Sequence, residues 1–271
     1  MTPAEHTPHQ IAADTFLVPD QLGDGARCVV QLNSMVIRGQ QPVVVDTGAP
    51  INRARFLANV FGLVEPADVR WVFVSHDDVD HAGNVEALMH ACPNATLATS
   101  WLTMVRLTTA GCGLSPRRWL RVEDGDVIDV GDRALVVQRP PLYDAPTTYG
   151  LFDTETEVFW AADCFGSGLP EQTVEADGVP RGVWEDGFIR FQQWHSPWLE
   201  GFDVRWWQRQ VDRFAARRLQ AIASAHGPVV RSERIARAIE LLRELPAYPT
   251  GAPLEQSTLE DILSGVGSST F

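Results

Sequence analysis

Ser75-His76-Asp77-Asp78-Val79-Asp80-His81 decides how this chain is read. It places the imidazoles of His76 and His81 and the carboxylates of Asp78 and Asp80 on one short loop. The apolar run Trp71-Val72-Phe73-Val74 before it reads as a buried strand, and Asn84 to Cys92 after it reads as a helix. Side chains at 76, 78, 80 and 81 of such a strand-to-helix loop can converge on one point, which makes a metal site the first expectation. The plainer alternative is an acidic turn that caps the next helix. Four potential ligands in six positions exceed what capping needs.

The spacing H-x-D-x-D-H resembles the H-x-H-x-D-H signature of the metallo-β-lactamase superfamily, with Asp78 in place of its second His. It is more similar still to the flavodiiron and oxygen-binding di-iron branch, whose loop reads H-x-E-x-D-H. Further motifs follow the order of that branch. Val43-Val44-Val45-Asp46-Thr47-Gly48 looks like its first motif, a strand ending in D-T-G. Asp163, within Trp160-Ala161-Ala162-Asp163-Cys164-Phe165-Gly166, resembles the carboxylate that bridges two metals. His226, followed by Gly227-Pro228, resembles the last metal-binding His. The resemblance runs from about residue 10 to about residue 240 and implies an α/β fold, the αββα sandwich of the metallo-β-lactamases. It implies His76, Asp78, Asp144 and Asp163 on one metal, and Asp80, His81, Asp163 and His226 on the other.

Asp144 departs from the pattern, because the family carries a His at that place. In Pro140-Pro141-Leu142-Tyr143-Asp144-Ala145-Pro146-Thr147-Thr148 it can simply begin a turn, or it can replace the imidazole as a ligand. Di-iron β-hydroxylases of the same fold also carry a carboxylate there, which gives the substitution a redox precedent.

The charge of the implied ligand set bears on the metal. Four carboxylates match the charge of two divalent ions, so the reduced cluster is formally neutral, and net charge is costly in a desolvated site. Hydrolytic zinc sites are usually richer in His, which leaves positive charge to acidify bound water. Hard oxygen ligands favour iron or manganese over zinc. Two iron ions are the expectation, with manganese or zinc as alternatives. Asp46 is expected to orient a ligand and loop backbone, and His195 to be an outer donor to the cluster.

Composition narrows the classes further. A chain of 271 residues, 45% hydrophobic, can bury a full core. It shows neither an apolar run long enough to span a membrane nor a leader, so the expected location is cytoplasmic. Cys28, Cys92, Cys112 and Cys164 lack C-x-x-C spacing and read as reduced thiols. A net charge of −13 argues against nucleic acid or an anionic membrane as partner. All 22 basic residues are Arg, which excludes Schiff-base lysine chemistry and the usual P-loop, and hints at a high-GC bacterial genome.

Residues 1–245 are expected to form the metal-binding domain, with Met1 to Gln10 a polar tail and Gly166 to Trp198 a looped segment. Trp184, Trp194, His195 and Trp198 of that segment are candidates to shape a pocket. Residues 246–271 read as a C-terminal extension whose amphipathic stretch, Leu254 to Leu263, docks on the body or on a second subunit of a homodimer. No flavodoxin-like Gly-rich loop is seen, so electrons are expected from an external donor protein or small reductant. The functional expectation is a binuclear non-haem iron protein that binds or reduces dioxygen, nitric oxide or peroxide, or uses dioxygen on a small organic substrate. The alternative is a binuclear hydrolase that cleaves a lactone, thioester or phosphoester with a metal-bound hydroxide.

Overall fold

The computed structural model describes residues 6–22, 29–201, 203–249 and 255–264. Their strands are β1 (His9–Ala12), β2 (Thr15–Val18), β3 (Gln21–Leu22), β4 (Val30–Gln31), β5 (Ser34–Ile37), β6 (Val43–Val45), β7 (Trp71–Phe73), β8 (Thr96–Thr99), β9 (Trp119–Arg121), β10 (Val127–Asp129), β11 (Ala134–Gln138), β12 (Gly150–Asp153), β13 (Val158–Trp160), β14 (Ala221–Ala223) and β15 (Val230–Arg231). Their α-helices are α1 (Arg53–Phe61), α2 (Val79–Ala82), α3 (Val85–Ala91), α4 (Trp101–Thr109), α5 (Arg181–His195), α6 (Val204–Ala215), α7 (Ser232–Glu244) and α8 (Gln256–Ser264). No described helix is long and apolar enough to cross a membrane.

Two sheets dominate. One runs β1-β2-β5-β6-β7-β8-β9 and the other β10-β11-β12-β13-β14-β15, with a separate β3-β4 pair. Strands buried on both faces read as unbroken apolar runs, and alternation then sorts their side chains into layers. Val43 and Val45 face the inter-sheet core with Phe73, while Val44 and Val72 face α1, α3 and α4. In the second sheet Val158 and Trp160 point inward with Ala221 and Ala223, while Phe159 and Ile222 face α5, α6 and α7. The result is an αββα sandwich.

Two strand pairs position the site. β6 runs parallel to β7, and β13 parallel to β14, so within each pair the loops leave from the same edge. Those loops carry Asp46, Ser75-His76, Asp163 and His226.

Two expectations fail. The segment read as a tail contributes His9 and Gln10 to β1, which pairs with β2, and the His6 carbonyl accepts from Asn59 Nδ2; residues 1–5 lie outside the described residues. The segment read as looped contains the fifteen-residue helix α5. Gly182 and Gly187 disguise it, but Trp184, Phe188 and Phe191 recur at helical spacing. Leu254 and residues 265–271 also lie outside the described residues; α8 covers 256–264 of the C-terminal stretch.

Gly187 seats α5 against the loop that carries Asp163. A Cβ there would collide with the Gly168 carbonyl oxygen, whereas one at Gly182 meets nothing within 4 Å. Gly187→Ala should therefore cost about 1–3 kcal/mol through overpacking. Gly182→Ala should leave stability unchanged or slightly raised. Chemical denaturation of both variants beside the parent checks this, and equal stability of the two would refute the proposed contact.

Candidate metal centre

β6 runs directly into Asp46, a buried residue at φ 55°. Its Oδ1 accepts from the Ser75 backbone N–H at 2.7 Å. Its Oδ2 accepts from Ser75 Oγ at 2.8 Å, from His81 Nδ1 at 2.9 Å and from Trp160 Nε1 at 2.9 Å. One carboxylate thus ties β6 to the β7 loop, to α2 and, through Trp160, to the opposite sheet. Asp tolerates the left-handed backbone better than most residues, which suits it to this corner.

These bonds also set the histidine tautomers. Ser75 Oγ spends its only proton on Asp46, so at 3.0 Å from His76 Nδ1 it accepts from that ring. His81 Nδ1 donates to Asp46, and His226 Nδ1 donates to the Gln31 carbonyl at 2.7 Å. In all three rings the Nδ1 side is anchored and the Nε2 lone pair is left over. His76 Nε2 and His81 Nε2 are buried with no hydrogen-bond partner, and so is Asp163 Oδ1. His81 Nε2 lies 2.7 Å from that oxygen, yet the ring geometry does not make a hydrogen bond of it.

The seven residues expected as ligands come together in two groups around Asp163. On one side His76 Nε2 is 3.6 Å from Asp163 Oδ2 and 3.8 Å from Asp78 Oδ2. His76, Asp78 and Asp144 present ligand atoms within 4.8 Å of one another. On the other side His226 Nε2 is 3.4 Å from Asp163 Oδ1 and 3.3 Å from Asp80 Oδ2, with His81 completing the group. Residues 76, 78, 80 and 81 therefore do not meet at one point. Asp78 and Asp80 fall in different groups, while the His76 and His81 rings stand 3.9 Å apart and both reach Asp163.

Local structure fixes each contributor. Asn84, between α2 and α3, donates through Nδ2 to the carbonyls of Thr47, Gly48 and Ala49 and so locks the D-T-G turn against the His loop. Asn33 Nδ2 donates to the carbonyls of Ser224 and Gly227, which flank His226. Ala162 and Phe165, on either side of Asp163-Cys164, hold positive φ angles of 52° and 65°; such backbone strain costs of order 1–3 kcal/mol per residue. Asp144 Oδ1 accepts from Thr148 Oγ1 at 2.8 Å, so the residue also serves its turn. Arg139 closes that loop at its base, donating to the Thr148 and Pro146 carbonyls with its guanidinium over the rings of Tyr143 and Tyr149.

Charge is strongly coupled here. Burial acts to raise the Asp163 pKa, but His81, His76 and His226 hold it well below the carboxylate range. Burial acts to lower that of His81, but Asp163, Asp80 and Asp46 raise it well above the usual value. His226 is raised in the same way by Asp163 and Asp80. Asp78 is raised, chiefly by burial. Burial also pushes the Cys164 thiol up to about 12, which makes it an inert core group beside the site.

The tryptophans do not form a common pocket. Trp184 is fully buried in the outer core of the second sheet, Trp194 is exposed, and Trp198 packs on Tyr143. His195 does reach the cluster, with Nδ1 3.6 Å from Asp163 Oδ2. Sequence reasoning gave no role to Ser75 or Trp160. A buried Trp needs a partner for its N–H, so a Trp three residues ahead of Asp163 was the available signal.

Known proteins share this arrangement of elements. The family model described as ODP family beta lactamase matches residues 30–227. Putative diflavin flavoprotein A 2 of Nostoc sp. strain PCC 7120 is 35% identical over 136 residues, which are 49% of this chain and 23% of that protein. The anaerobic nitric oxide reductase flavorubredoxin of Pectobacterium atrosepticum is 26% identical over 149 residues, 54% of this chain and 29% of that protein. The chain thus spans well under half the length of these curated relatives. Rubredoxin oxygen:oxidoreductase from Desulfovibrio gigas shares the fold, with TM-score 0.76 at 16% identity over 89% of this chain and 62% of that one. Since the matched residues are well over half of the chain, it belongs to the ODP family of beta lactamases.

Proposed function

We propose that this chain holds two iron ions and is a redox protein for a diatomic gas or peroxide. The observation that carries the reading is the set of buried ligand atoms without partners. His76 Nε2, His81 Nε2 and Asp163 Oδ1 are buried without a hydrogen-bond partner, although a buried polar atom so left costs about 1–3 kcal/mol. A cation between them resolves that cost.

His76, Asp78, Asp144 and Asp163 would hold one metal; Asp80, His81, His226 and Asp163 would hold the other. Two irons there would supply the electron steps needed to bind or reduce dioxygen, nitric oxide or peroxide, or to use dioxygen on a small organic substrate. The protein's own part is positional. Asp46 holds the His81 ring directly and the His76 ring through Ser75, while the Gln31 carbonyl holds His226. Such outer partners keep each lone pair aimed and raise ligand basicity. Four carboxylates favour iron over zinc, and the names of the Pectobacterium and Desulfovibrio relatives support nitric oxide and oxygen as candidate substrates. The Desulfovibrio name also gives rubredoxin as its reaction partner, which supports an external protein as electron donor. Hydrolysis is the competing reading, and the metal decides between them.

Protein purified from iron-supplemented cells should contain about two irons per chain, and Asp163→Ala should lose most of both, as expected of a shared carboxylate ligand. Elemental analysis checks this. Two zincs per chain, with no oxygen reactivity after iron reconstitution, would move the assignment to a hydrolase.

Metal uptake should weaken as pH falls. The carboxylates raise the pKa of His81 and His226, so protons compete for their Nε2 atoms over the neutral range, and metal binding must expel them. Titrations should show tighter binding at about pH 8 than at about pH 6, and more proton release per metal at the lower pH, where the imidazoles carry more protons. Affinity that does not change with pH would remove these imidazoles from the ligand set.

Asp144→His should keep two metals while raising the formal cluster charge by one, which makes the oxidised state harder to reach and raises the reduction potential. Redox titration beside Asp144→Ala is the measurement. If Asp144→Ala keeps parental metal affinity and potential, Asp144 only makes its turn.

A further inference from the structure

We propose that His195 is a direct ligand of the metal on the His76 side, supplying the imidazole that Asp144 does not. This rests on the metal-centre reading above. His195 is the last residue of α5, and its side chain is only 5% exposed. Nδ1 stands 3.6 Å from Asp163 Oδ2, the oxygen that is also 3.6 Å from His76 Nε2. That separation is too long for an outer hydrogen bond to the carboxylate. It suits two donors on one ion, because ligands bonded at about 2.0–2.2 Å lie roughly 3–3.6 Å apart around it. Asp144, Asp163 and His195 each offer a ligand atom within 4.8 Å of the other two, the same limit that gathers His76, Asp78 and Asp144.

The ring is also held without being used. Nε2 is buried and has no hydrogen-bond partner. Phe191, one turn earlier on α5, stacks on the imidazole with centroids 5.8 Å apart and planes at 15°, and packs against His226 at 5.4 Å. Gly187 lets the same helix approach the Asp163 loop. A fifteen-residue helix therefore delivers a fixed, nearly buried imidazole to the side of the cluster that lacks one. Being neutral, it adds a donor without changing the formal charge of the four carboxylates.

Zinc, as a diamagnetic probe, tests this on the full-length protein labelled with nitrogen-15 in its imidazoles. The chain has seven histidines. If His195 binds, the resonances of four imidazoles shift on zinc addition, and His195→Leu leaves three shifting. The variant should also lose affinity for one metal by at least the roughly 10–100-fold that removal of an outer partner costs, with the other metal unaffected. Three shifting imidazoles in the parent protein, those of His76, His81 and His226, would overturn the His195 assignment and leave the metal centre standing. No shift at all would overturn both.

Discussion

The buried carboxylate of Asp46 is the constraint on which the rest of the site depends. An unpaired charge in this position would cost several kcal/mol. Four donors reach it instead, two from Ser75 and one each from His81 and Trp160. Because these come from both sheets, the carboxylate keys the two halves of the sandwich at the edge where the loops emerge. It also acts beyond its own contacts. By taking the Ser75 hydroxyl proton, it obliges Ser75 to accept from His76, so one anion fixes the tautomers of two rings.

The cluster beyond Asp46 combines satisfied and unsatisfied groups in a consistent pattern. Outward-facing nitrogens of His76, His81 and His226 are all partnered, while the buried Nε2 atoms of His76 and His81 have no hydrogen-bond partner. Strain follows the same division, with left-handed residues at Asp46, Ala162 and Phe165 beside the ligand-bearing positions. Folded proteins keep such costs where something outside the polypeptide offsets them. The opposed pKa directions of Asp163 and His81 express the same fact electrostatically: each group holds the other charged in a place that burial would make neutral.

Much of this was legible in the sequence because its carriers are short and local. The run Val43–Val45 before Asp46 and the run Trp71–Val74 before the His loop announce buried strands, and the ligand-bearing loops follow them directly. Period-based reasoning failed where a helix carries glycine for packing. Gly187 weakens the helical pattern of α5, yet it is there because the Gly168 backbone passes too close for a side chain. It failed again at the N-terminus, where β1 is half exposed and an edge strand needs little apolar patterning. The division of the His loop between two sides of Asp163 came from the family resemblance alone, since residue spacing by itself does not give it. The sequence placed His195 near the cluster, but not the helix that brings it there, since its seating depends on the whole length of α5.

The Arg139 clamp has a consequence for how such a centre diversifies. The loop from Pro140 to Thr148 is closed by a residue at its own base, through two backbone carbonyls and two tyrosine rings. Its conformation is thereby held from the base as well as by the Thr148–Asp144 hydrogen bond at the tip. Exchange at that single codon alters the donor presented to the cluster at the cost of one hydrogen bond to Thr148, while the Arg139 contacts remain. Heritable change can then retune the chemistry of the centre in one step, without passing through an unfolded ancestor.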